Sequence, residues 1–75
     1  MARETVYMTI FGTLHNETGK AIRMTVEKVG ETTLDSPKSE WFPFSQVQKM
    51  VRNPTPGESD ELFVSEWILK QKGLI

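Results

Sequence analysis

Between Thr5 and Val29 apolar and polar positions alternate twice, on either side of a single turn signal. In the first run, Thr5–Leu14 (TVYMTIFGTL), Val6, Met8, Ile10 and Leu14 share one face while Tyr7, Thr9 and Phe11 share the other. In the second run, Lys20–Val29, Ile22, Met24 and Val26 oppose Arg23, Thr25 and Glu27. Period two is the geometry of an extended strand, whose successive side chains leave on opposite sides. Asn16-Glu17-Thr18-Gly19 between the runs has turn chemistry, so the pair reads as a β-hairpin.

The remaining elements are shorter. Gly30–Ser39 (GETTLDSPKS) reads as a polar loop with a short irregular stretch around Thr32–Leu34. Glu40–Ser45 reads as a short strand, and Pro43, which cannot donate to a ladder, confines it to a sheet edge or a bulge. Val47–Arg52 fits two patterns. Val47, Met50 and Val51 have helical spacing, and Ser45 with Gln48 imitates a capping box. Val47, Lys49 and Val51 also alternate as a strand does, and strand is the expectation carried forward. Asn53–Ser59 (NPTPGES) is a loop and Asp60–Val64 a strand. Ser65 then stands as a helix N-cap, with Glu66 in the first turn where the dipole favours acid. Trp67–Lys72 forms the helix body, Gly73 the C′ residue, and Leu74 folds back. The order β-β-loop-β-(β)-loop-β-α predicts a β-rich α+β fold in a single domain, residues 1–75. Its form would be a small twisted sheet or partly open barrel, SH3-like or OB-like, of four to five short strands with one C-terminal helix.

Composition narrows the function. A 75-residue chain buries only about 60% of its unfolded surface, so every ring counts toward the core. Absence of cysteine removes disulfides and thiolate zinc sites. Nine Lys and Arg against ten Asp and Glu, without a basic block, make duplex DNA a poor partner. No apolar run nears the ~20 residues that span a bilayer, and MARETVYMTI has no secretory apolar region. The expectation is a soluble cytoplasmic domain that makes no membrane contact.

Two segments carry a resemblance. The first is Trp41-x-Pro43-x-Ser45-Gln46; the second runs Val64-Ser65-Glu66-Trp67-Ile68 and ends Lys72-Gly73-Leu74. Together they resemble a group of short, mostly uncharacterised proteins of bacteriophages and other mobile genetic elements, across the second half of the chain. The resemblance implies a β-rich fold with a short C-terminal helix, and a role in DNA metabolism or host takeover in the host cytoplasm. Two positions depart from the group's pattern. Ser65 stands where a proline often begins the helix, and Phe44 where a basic residue often follows the first proline. The second change replaces a charge by a ring, so an anion-binding role is not carried over.

Catalytic chemistry has little to work with. His15 is the only histidine and reads as a polar turn residue; Gly19-Lys20-Ala21 lacks phosphate-loop spacing. Glu58, Asp60 and Glu61 read as a solvated loop without EF-hand spacing. The expectation is therefore no enzyme, no cofactor and no metal. Two sets of residues suit binding. Trp41 and Pro43 must face opposite to Phe42 and Phe44 in an extended chain, and Phe42 is expected inside with Trp41 at the rim. Trp67, Ile68 and Leu69 sweep about 200° of a helix, so Leu69 or the Leu74-Ile75 end is expected to stay exposed. Trp41, Pro43, Phe44, Leu69 and Leu74 would then contact a host or phage protein, modulating or inhibiting a host system, or a second copy of the chain. The alternative is a single-stranded nucleic acid, stacked on Tyr7 and Phe11 with Arg23, Lys28, Lys38 or Arg52 nearby. Against both stands packing, since those rings could all serve the core.

Overall fold

A computed structural model describes residues 5–75. Strands β1 (Tyr7–Glu17) and β2 (Ala21–Val29) form the expected hairpin. β1 runs past Leu14, so Asn16 and Glu17 belong to the strand and the turn shrinks. Thr18 closes it, its Oγ1 accepting from the amides of Lys20 (3.2 Å) and Ala21 (3.1 Å).

The loop expected over Gly30–Ser39 is instead a second hairpin. Gly30 (φ 58°) and Glu31 make a two-residue turn, with glycine in the first central position where the chain's twist demands positive φ. β3 (Thr32–Pro43) follows at once. It is an edge strand bonded only to β2, so its polar composition is no obstacle to pairing. Val26 pairs with Lys38 and Lys28 with Thr33, so Leu34-Asp35-Ser36-Pro37 bulges out opposite Glu27 alone. Pro37 and Pro43 thus both lie where a missing N–H is harmless.

A single 3₁₀ turn, Phe44–Gln46, leads from β3 to β4 (Val47–Val51). Val47–Val51 is therefore strand, as expected, with Arg52 just beyond it. Gln48 lies within it, and no helix begins at Ser45. After the 52–59 loop come β5 (Asp60–Ser65) and the helix α1 (Glu66–Gln71). The result is one five-stranded antiparallel sheet, order β3-β2-β1-β5-β4, not closed, with a short C-terminal helix.

That order imposes a shape. β3 and β4 are the two outer strands, and a flat sheet would hold them about 19 Å apart, four spacings of ~4.8 Å. The link between them is one 3₁₀ turn, which at ~2 Å per residue spans about 8 Å from Pro43 to Val47. Pro43 is level with the Glu17 end of β1 and Val47 with its Met8 end, so the sheet must both roll and stagger its strands until these opposite corners converge. Gly12 permits the roll. β1 slips register against β2 there, Phe11 facing Lys28 but Gly12 facing Val26, which leaves Glu27 as an unpaired bulge residue. A Cβ on Gly12 would lie 1.9 Å from the Thr25 carbonyl oxygen.

Inside the roll lie Ile10, Leu14, Ile22, Met24, Val26, Phe42, Leu62 and Val64, with α1 covering the open side. Ser65 sets the helix. It is both the last residue of β5 and the N-cap, so no linker intervenes. Its buried Oγ accepts from the Ile68 amide (3.3 Å) and donates to Gln46 Oε1, tying α1 to the 3₁₀ turn. The same pair joins the two segments that carry the sequence resemblance. Glu66 N donates to the Val6 carbonyl (2.8 Å), and Glu66 pairs with Lys70 (2.9 Å). At the other end Leu74 N donates to Leu69 O (2.9 Å) and Gly73 N to Lys70 O (3.2 Å), a Schellman closure with Gly73 at φ 70°.

This geometry corrects two expectations. Leu69 is fully buried and Leu74 nearly so, and neither is available to a partner, whereas Ile75 at the chain end is exposed as expected. With the helix leaving β5 directly, Ile68 and Leu69 point into the core, and the closure folds Leu74 beneath the last turn. Trp67, about 200° from Leu69, is the helix residue left exposed, at 57%.

Gly12→Ala is expected to destabilise the domain by at least the ~1–3 kcal/mol typical of overpacking, because the atom it strikes is backbone. Urea unfolding followed by far-UV circular dichroism reads this directly. A midpoint like that of the native chain would show that β1 and β2 do not approach so closely.

Candidate functional site

Register sorts the outward side chains. On β1 these are Tyr7, Thr9, Phe11, Thr13 and His15, alternating with the core residues. Cross-strand pairs place Lys28 beside Phe11, Thr25 beside Thr13, and Trp41 beside Arg23. On the other flank Thr9 faces Phe63, Phe11 faces Glu61, and Phe63 faces Lys49. The helix covers the opposite side of the sheet, so this outer face has no covering element of the described chain.

Its chemistry comes in three parts. Phe63 is the diagonal neighbour of both Tyr7 and Phe11, at the ~7–8 Å separation aromatic side chains can bridge, which puts three rings in one row across β1 and β5. Two ammonium groups stand over it, Lys28 Nζ 5.3 Å from the Phe11 centroid and Lys49 Nζ 5.7 Å from that of Phe63. The second part is a polar row, in which His15 Nε2 is hydrogen-bonded to Thr25 Oγ1, and Thr25 Oγ1 to Ser39 Oγ (2.9 Å). Beyond it lies the third, Trp41 beside Arg23, whose Nε donates to Asn16 Oδ1 (2.9 Å). Arg23, Lys28 and Lys49 against Glu61 give the paired positions of the face +2, and Glu27 in the bulge beside them lowers the local sum to +1, in a chain whose net charge is −1.

Of the expected nucleic-acid contacts, Tyr7, Phe11, Arg23 and Lys28 fall together on this face. Arg52 does not; it follows β4 in the loop, outside the ladder. Lys38 pairs with Val26 and so has the inward parity, at the sheet edge. Of the expected protein contacts, Trp41 is 39% exposed while Phe42 is fully buried, as their opposite parity requires. Pro43 shares Trp41's side and is half-buried; Phe44 packs against the core from the 3₁₀ turn. With Leu69 and Leu74 buried, that set does not form one surface. His15, expected in a turn, lies instead in β1. Phe63 and Lys49 are new members of the face. Their signal was parity, since each alternates with Leu62, Val64 or Met50.

A concavity of about 340 Å³ lies between Thr13, Glu27 and the 53–60 loop. Asp60 shapes it, its carboxylate accepting from the amides of Leu14 (3.0 Å) and Asn53 (2.7 Å). Both oxygens are thus occupied in holding the loop. Among the described residues no cluster of His, Asp and Glu is placed to hold a metal ion, and no helix is long and apolar enough to cross a membrane.

No protein-family model, curated protein or solved structure matches the chain. Its function must be argued from the face itself.

The opposite placement of adjacent rings has a measurable consequence. Phe42→Ala should cost about 3–5 kcal/mol, as for other buried aromatics, and Trp41→Ala under about 1 kcal/mol. Equal losses in urea unfolding would contradict the sidedness of β3.

Proposed function

We propose that this chain is a non-enzymatic binding module that takes single-stranded nucleic acid on its outer sheet face. The observation that carries the reading is the coincidence, on one face, of a row of three rings, Trp41, and three cations against the paired carboxylate of Glu61 and the bulge carboxylate of Glu27. Rings stack on bases without regard to sequence, and cations along the same path meet the phosphates. Lys28 and Lys49 now occupy ring faces, but that contact is worth only ~0.5–1 kcal/mol at an exposed site. Stacking a base there is worth about 1–3 kcal/mol, so exchange is favourable and frees each ammonium for a phosphate. Absence of a basic block still argues against duplex DNA. A role in the nucleic-acid handling of a phage or mobile element agrees with the sequence resemblance.

A protein partner is the second reading, and the exposure of Trp67 and Val6 (each 57%) favours it. The Glu66–Val6 backbone bond brings these two residues to the same end of the domain, and with the exposed rim at Trp41 they could anchor a host or phage factor or a second copy.

Titration of a labelled 12-nucleotide single strand, followed by fluorescence anisotropy, separates the two. Binding should weaken with salt at a log–log slope of about −2, as three phosphate contacts on a single strand require. Phe11→Ala and Phe63→Ala should each cost ~1–3 kcal/mol of affinity, and Trp67→Ala nothing. A flat titration at low salt would remove the nucleic-acid reading and leave the protein one.

A further inference from the structure

Resting on the single-strand reading, we propose that the ligand is RNA, its ribose 2′-hydroxyl groups received by the His15–Thr25–Ser39 chain of hydrogen bonds. The row lies between the two ring sites. Phe11 with Lys28 stands on one side of it and Arg23 with Trp41 on the other, so a strand touching both must cross it. The three side chains run across three adjacent strands, β1, β2 and β3, in one bonded line.

The chemistry of the line suits a sugar better than a phosphate. A phosphate oxygen only accepts, and it is best met by a cation. Here the groups are an imidazole and two hydroxyls, and Glu27, the bulge residue in the adjoining cavity wall, adds a negative charge nearby. A hydroxyl offers one donor and two acceptor sites. Thr25 Oγ1 is engaged by both neighbours, whereas Ser39, exposed on the edge strand, has a single protein partner in the line. A ribose 2′-hydroxyl, at once donor and acceptor, can extend such a chain in either direction, and deoxyribose cannot. The phosphates on either side then fall to Lys28 and Arg23. A base edge could also join the line, but base edges are common to both nucleic acids.

The test uses the full chain and three labelled 12-mers of one mixed sequence: RNA, DNA with deoxyuridine for thymidine, and 2′-O-methyl RNA. Matching the bases leaves the sugar as the only variable. RNA should bind about fivefold or more tighter than the DNA, the worth of one neutral hydrogen bond. Ser39→Ala removes the hydroxyl with the spare site and should erase that preference, lowering RNA affinity more than DNA affinity. Thr25→Val keeps the β-branched shape but breaks the line and should reduce it too, with circular dichroism confirming the fold of each variant. Equal binding of RNA and DNA overturns the proposal, as does a Thr25→Val loss that falls equally on both. If 2′-O-methyl RNA binds as RNA does, sugar shape rather than the hydroxyl proton is recognised, and the proposal fails. Binding of neither polymer overturns the single-strand reading beneath it.

Discussion

Everything in this domain follows from the short path between its outermost strands. β3 and β4 lie at opposite edges of the sheet yet are joined by Phe44–Gln46 alone. Because a 3₁₀ turn cannot span a flat five-stranded sheet, the sheet rolls, and rolling divides its surface into an inside and an outside. Gly12 lets the central hairpin bend at the bulge, and Ser65 locks the result by bonding the turn's Gln46 while capping α1. The helix closes the open side of the roll. Among the described residues no helix or further strand covers the outer face.

Division of labour between the faces then resolves the competition for rings. Core formation uses Phe42 fully, with Phe44 packed at its margin, and aliphatic side chains supply most of the rest. Tyr7, Phe11, Phe63 and Trp41 remain outside, along with three of the chain's cations. Such a face suits a ligand that brings its own planar groups and negative charges. The small excess of cations on it, set against an overall charge of −1, is a local effect of register that whole-chain composition conceals.

How much was legible beforehand depends on whether the deciding interaction is local. Alternation in β1 and β2, the Ser65 cap and the Gly73 stop are local signals, and the fold carries all of them. Opposite sides for Trp41 and Phe42 also follow from one strand's geometry. β3 was illegible over Thr32–Ser39 because an edge strand has no need of apolar alternation, and a four-residue bulge interrupts its register. Which of Trp67 and Leu69 would be buried turned on the direction in which α1 leaves β5, a tertiary fact. The assembly of the face itself depends on β1 pairing with β5, across more than forty residues of chain, which no local pattern encodes.

The central claim is that the roll leaves one side of the sheet for packing and the other for ligand. The most direct measurement is a ¹⁵N–¹H correlation spectrum of the chain titrated with a short single-stranded oligoribonucleotide. The account predicts that shifts concentrate in β1, β2 and β5 at Phe11, Thr25, Lys28 and Phe63, with the amides of Trp67–Leu74 unmoved. Shifts centred on α1, with the strands unchanged, would contradict it.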